Sequence, residues 1–189
     1  MPQYKRGPKG NYAFIDSQNL NLGIQKMGWK LNWQKFHDYL RDQYNVKKAF
    51  MFIGYMPDNV NLYEQMHDIG YFVVLKPTLE MYKNPAGTDD NQPKENDEKR
   101  LPVKGNTDAE LVLYAVKEMP NYEKAIVVSG DGDFYSLVEY LAQKNRLLHL
   151  MTPNYQYSSL LKPFDEYILR LDQHKKELRY FSRKNGGRK

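Results

Sequence analysis

Short apolar runs alternate with segments of helical periodicity along most of this chain, and no other feature limits the available folds so strongly. Residues 12–16 (YAFID), 46–55 (VKKAFMFIGY), 71–75 (YFVVL), 125–129 and 147–151 read as strands, rich in β-branched and aromatic residues. Residues 33–44 carry Trp33, Phe36, Tyr39 and Leu40 at helical spacing. Residues 60–69 carry Leu62, Met66 and Ile69, followed by Gly70 as a helix-ending residue. A further helix is predicted over 107–119, capped by Asn106 or Thr107, with Leu111, Val112, Ala115, Val116 and Met119 on its inner face. Residues 134–143 predict another helix, 157–161 a helical turn, and 167–171 a short strand or extended segment. Alternation of this kind implies an α/β fold with a mainly parallel sheet and helices on both faces.

The chain has 189 residues and no cysteine, which excludes disulfides, thiol nucleophiles and cysteine-containing zinc sites. Its histidines, His37, His67, His149 and His174, form no metal-binding pair, so a bound metal would need oxygen ligands, which select hard divalent ions. No run approaches the roughly 18 apolar residues of a membrane span, and the expectation is a cytoplasmic protein without a membrane partner. The net charge of +5 is uneven: residues 1–10 carry +3 and residues 172–189 carry +5, leaving an acidic body between them. The expected organisation is a basic N-terminal tail (1–10), a domain (11–171) and a basic C-terminal helix or tail (172–189), the basic ends attracting phosphate. Residues 84–99 (NPAGTDDNQPKENDEK) are almost wholly polar and read as a mobile loop within the domain, with no catalytic role for its acids.

The remaining acids fall where such a sheet binds ligands, beyond the carboxyl ends of its strands. Asp16 ends the first strand, with Asn19 one turn on. Asp131 and Asp133 follow the fourth strand in SGDGDF, residues 129–134. Asp108 opens the helix introduced by KGNTD, residues 104–108. Taken singly, each acid is also a good helix cap or turn former. Gathered together, carboxylates repel unless a cation neutralises them, so their convergence points to metal binding. A bound divalent ion would activate water and stabilise charge building on a phosphate. Ser129 and Asn19 would fix carboxylates or water by hydrogen bonds, Lys104 and Thr107 would support the cluster or the substrate, and Gly130 and Gly132 would leave room for a phosphate.

FIDSQNLNLG, GYMPDN, LKPTL, KGNTDAELVL, IVVSGDGDFYSLVEYL and YSSLLKPFDEYILRL together resemble bacterial NYN-domain proteins, a family similar to the PIN-like ribonucleases and the LabA-like proteins. The resemblance spans about residues 12–171. It implies a Rossmann-like (PIN-like) sheet and a metal-dependent ribonuclease site, with Asp16, Asp108, Asp131 and Asp133 as both catalytic residues and metal ligands. The family's K-G-x-D spacing is departed from here, because two residues separate Gly105 from Asp108, and this loosens the assignment of Lys104 more than that of Asp108.

The expected function is therefore an endoribonuclease using Mg²⁺ or Mn²⁺, with RNA as partner and a homodimer as a permitted assembly. Its likeness to PIN nucleases implies direct attack by water and a 5′-phosphate product. The alternative is a non-catalytic RNA-binding or scaffolding module. A phosphatase reading fails because D-S-Q stands where D-x-D is needed, and a receiver reading fails because residues 75–77 offer no phosphoacceptor. Because residues 84–99 offer almost no apolar surface to bury, replacing them with a short Gly-Ser turn should shift the thermal midpoint by only about 1–3 °C. A large drop would show that the segment packs on the body.

Overall fold

A computed structural model describes residues 9–76 and 107–181. The predicted loop 84–99, Asn106 and Lys104 lie outside the described residues, as do 1–8 and 182–189 of the basic ends. Six parallel strands form one sheet in the order β3-β2-β1-β4-β5-β6: β1 Asn11–Asp16, β2 Val46–Gly54, β3 Phe72–Lys76, β4 Ala125–Val128, β5 Leu147–Thr152 and β6 Ile168–Arg170. The parallel sheet is the one the alternation implied, and its order is Rossmann-like, as the resemblance implied. The chain leaves β1 toward one side for β2 and β3, then crosses back to add β4, β5 and β6 on the other.

Helices cover both faces. Alternation along β1 sends Ala13 and Ile15 to one face, where they meet Leu20 and Ile24 of α1 (Ser17–Lys26), Phe36 and Leu40 of α2 (Trp33–Tyr44) and Met66 of α3 (Val60–Ile69). Tyr12 and Phe14 point to the other face. They pack there with Leu111 and Ala115 of α4 (Asp108–Lys117), Tyr122, and Leu137, Val138 and Leu141 of α5 (Tyr135–Gln143). Being buried on both faces, β4 is apolar at every position, the pattern of a central parallel strand. Tyr122 is fully buried and donates its hydroxyl to the Ala115 carbonyl at 2.7 Å, and Tyr71 donates to the Trp33 carbonyl at 2.8 Å, so neither leaves a polar tip unpaired.

The strands and helices match the sequence expectations to within a few residues at their ends, with three differences. Helix α1 was not anticipated: of its apolar residues only Leu20 and Ile24 are buried, Leu22 is exposed, and Gly23 interrupts the pattern. Val116 lies on the outer side of α4, not its inner face. The turn expected over 157–161 is a longer 3-10 segment, Ser159–Tyr167, followed by the short strand β6.

Gly23 has a use that local propensity hides. A Cβ there would lie 2.5 Å from Cβ of Pro153, in the loop after β5, and Asn154 donates its side-chain amide to the Gly23 carbonyl at 2.7 Å. Gly23→Ala therefore sets a helix-propensity gain of about 1 kcal/mol against overpacking of about 1–3 kcal/mol at a rigid ring. We expect the clash to win, lowering the thermal midpoint by about 2–6 °C. A melt showing the alanine variant to be more stable would refute this contact.

Candidate metal-binding site at the carboxyl edge

The side chains of interest converge where the sheet order reverses, between β1 and β4. Ile15 pairs with Val128 in the register of these strands, so Asp16 and Ser129 emerge side by side. By strand alternation both lie on the face covered by α4, whose first residue is Asp108. Asp16 is buried, only 7% exposed, and it caps α1. One carboxylate oxygen accepts from the Asn19 backbone N–H at 3.1 Å, and the other accepts from the Ser129 hydroxyl at 3.1 Å. Ser129 Oγ in turn accepts from the Asp131 N–H at 3.2 Å, and Asp131 Oδ1 from the Asp133 N–H at 3.1 Å. Asn19 Oδ1 accepts from the Gly130 N–H at 2.8 Å, tying α1 directly to the turn after β4.

Asp16 and Asp131 thus hold the two capping roles their sequence positions allowed, and each keeps lone pairs for a further partner. Burial pushes the Asp16 carboxyl above its ordinary 3.8; the Asn19 and Ser129 hydrogen bonds work against this, and the negative charges of Asp108 and Asp131 add to it. These three carboxylates therefore share one electrostatic neighbourhood. Asp133 is exposed and enters the network through its backbone N–H. Thr107 stands at the N-cap of α4, but its side chain makes no capping bond. Gly130 and Gly132 lie against the chain after β5. Their missing Cβ atoms make room for the chain after β5: one at Gly130 would meet Tyr157 Cβ at 3.2 Å, and one at Gly132 would meet Ser158 Oγ at 2.4 Å.

Two charged residues here escaped the sequence reading. Glu110, in the first turn of α4, forms an ion pair with Lys76 at the end of β3, 3.1 Å apart. The signal was available in the acidic helix start and in LKPTL, but their pairing depends on where α4 packs.

The donor set is hard oxygen throughout, which fits Mg²⁺ or Mn²⁺. No group of three or more acidic or histidine side chains among the described residues is gathered tightly enough to ligate a metal by itself. The arrangement suits an ion held by one or two carboxylates, with water and substrate oxygens completing its shell, as Mg²⁺ commonly is.

Removing the Asp16 charge isolates the electrostatic part, because Asn caps helices about as well as Asp. The folded protein holds the Asp16 proton more tightly than the unfolded chain does, so stability falls as pH rises through the window that begins near 3.8. Asp16→Asn should therefore melt at or above the wild-type temperature at pH 7 in chelator, with the advantage disappearing below that window. A lower midpoint at pH 7 would mean that the charge itself holds the fold.

Residues 12–172 match the NYN domain family. The low amplitude and bright protein LabA of Synechococcus elongatus is similar, at 24% identity over 160 residues covering 82% of this chain and 80% of that protein. A crystal structure of a protein of unknown function from Vibrio parahaemolyticus shares the fold, with a TM-score of 0.65 at 20% identity over 94% of this chain and 100% of that one.

Proposed function

The chain belongs to the NYN domain family, and we propose that it is a Mg²⁺- or Mn²⁺-dependent endoribonuclease working at the carboxyl edge between β1 and β4. The observation that carries this reading is a buried carboxylate at the edge where the sheet order reverses: Asp16 is pushed above its ordinary value chiefly by burial, with smaller repulsion from Asp108 and Asp131. A fold gains nothing from that repulsion alone, and a divalent cation turns it into attraction.

In this reading Asp16, Asp108 and Asp131 hold the metal, directly or through water. The ion supplies an activated water and charge stabilisation at the scissile phosphate. Ser129 and Asn19 orient the carboxylates: the hydroxyl bond to Asp16 and the amide bond to Gly130 set the spacing of the β1 and β4 ends. Asp133, exposed beside the cluster, orients the attacking water. The N-terminus of α4 directs its positive end toward the same edge and favours a phosphate there. Thr107, at the start of α4, supports the substrate. Direct attack by water leaves a 5′-phosphate. Residues 11–171 form the catalytic domain in this account, with the basic segments 1–10 and 172–189 as its flanks. We place the protein in the cytoplasm; no helix among the described residues is long and apolar enough to cross a membrane.

A second reading, a non-catalytic RNA-binding or scaffolding module, draws on a different observation: Asp16 and Asp131 both cap local structure, and the described acids form no ready-made three-ligand group.

Cleavage assays separate the two. Wild type should cut single-stranded or structured RNA with Mg²⁺ or Mn²⁺, stop in chelator, and leave 5′-phosphates. Metal should raise its melting temperature. Asp16→Asn, Asp108→Asn and Asp131→Asn should each lose that rise and lower the rate by about 100-fold or more, with Asp133→Asn milder. Absence of both metal binding and cleavage in wild type would sink the enzymatic reading and leave the binding module.

A further inference from the structure

We propose that a pocket of 510 Å³ lined by Gly28, Trp29, Lys30, Lys175, Arg179 and Tyr180 is a binding site for the phosphate backbone and bases of single-stranded RNA. It shares no residue with the aspartate cluster. The inference rests on the reading of RNA as the ligand, and it assigns where that strand is gripped away from the acids.

Backbone bonds, not flexible side chains, set the geometry of the pocket. The segment after α6 (Lys175–Leu178) runs antiparallel to the stretch before α2: the Asn32 N–H donates to the Leu178 carbonyl and the Tyr180 N–H to the Lys30 carbonyl, each at 2.8 Å. Leu31 pairs with Arg179 across this bridge, and the buried Leu31 and Leu178 anchor it in the core. Lys30, Arg179 and Tyr180 are therefore held at fixed spacing although they are far apart in sequence.

The chemistry of the pocket is one-sided. Among the described residues, Lys30, Lys175 and Arg179 have no acidic partner; of the acids of the same segment, Asp172 pairs with Arg170 at 2.7 Å and the exposed Glu177 lies 3.4 Å from the His174 ring. Trp29, in the pocket wall, is only 7% exposed, and its indole N–H has no acceptor among the described residues. Three cations without an acidic partner, beside a tryptophan, select a ligand rich in negative oxygen.

The neighbouring surface narrows the choice. Tyr180 and Phe181 are exposed aromatic side chains, and the Phe181 ring carries Arg179 at 4.5 Å and the Lys35 ammonium at 4.9 Å. Cations interleaved with exposed rings are the pattern of single-strand recognition, in which phosphates meet charge and unpaired bases stack. A duplex would hide its bases from those rings, and a small anion would leave them unused.

The test measures binding of a short oligouridylate to the full chain in chelator, where metal-dependent cleavage is off. The triple variant Lys30→Gln, Lys175→Gln, Arg179→Gln should bind about tenfold more weakly at low salt, with the slope of log K against log salt shallower by about 2. Its thermal midpoint should be unchanged. The chain has two tryptophans, so in Trp33→Phe the emission of Trp29 alone should change saturably as the oligonucleotide binds. Unchanged affinity and slope in the triple variant, a silent Trp29, or binding of anionic phospholipid vesicles without binding of the oligonucleotide would each overturn the proposal. A protein that binds through this pocket yet never cuts RNA would remove the catalytic reading and leave this one standing.

Discussion

The parallel pairing of β1 with β4 is the contact on which the acidic edge depends. It joins residues more than a hundred positions apart, and its register sets Asp16 beside Ser129. Because every strand in the sheet is parallel, each strand end emerges on the same side, and the turn after β4 meets the start of α1 there. Packing of α4 against β1 then brings Asp108 to the same place. Slipping the register by one residue would send Asp16 to the opposite face, away from α4. The apolar β1–β4 core thus places a polar site that could not assemble by its own attractions.

Those polar groups are held in tension. Each hydrogen bond accepted by Asp16 favours its ionised form, while burial and two neighbouring carboxylates oppose it. The hydroxyl of Ser129 serves both sides, donating to Asp16 and accepting from the Asp131 backbone. The turn after β4 is consequently ordered by a chain of hydrogen bonds, two of which end on the carboxylates of Asp16 and Asp131. A turn ordered in this way can receive a cation without rebuilding the backbone.

Much of this was legible in the sequence. Strand runs ending in Asp16 and Ser129 marked where β1 and β4 end, since buried parallel strands are apolar throughout and their ends are marked by the first polar residue. Helix α1 was not legible, because its buried side is two residues wide and its packing against Pro153 needs a glycine that reads locally as a helix breaker. One use of Gly130 and Gly132 was missed for a related reason: their small size accommodates Tyr157 and Ser158, a segment more than twenty residues away. The Lys76–Glu110 pair and the bridge between Leu31 and Arg179 were hidden for the same cause. Periodicity reports which side of an element is buried, and it says nothing of which distant segment covers it.

The separation of 113 residues between Asp16 and Ser129 also has a consequence for how the protein comes into being. A chain emerging from the ribosome N-terminus first can pair β1 with β2, and β2 with β3, early, but the other edge of β1 has no strand to receive until β4 has been made. Until then that edge and the apolar side chains around Phe14 are exposed, a state prone to wrong pairing and slow to resolve in parallel sheets. Asp16 meanwhile lacks its hydroxyl partner and its acidic neighbours. The contacts of Asp16 with Ser129 and Asp131 can thus form only once β4 and the turn after it have been made.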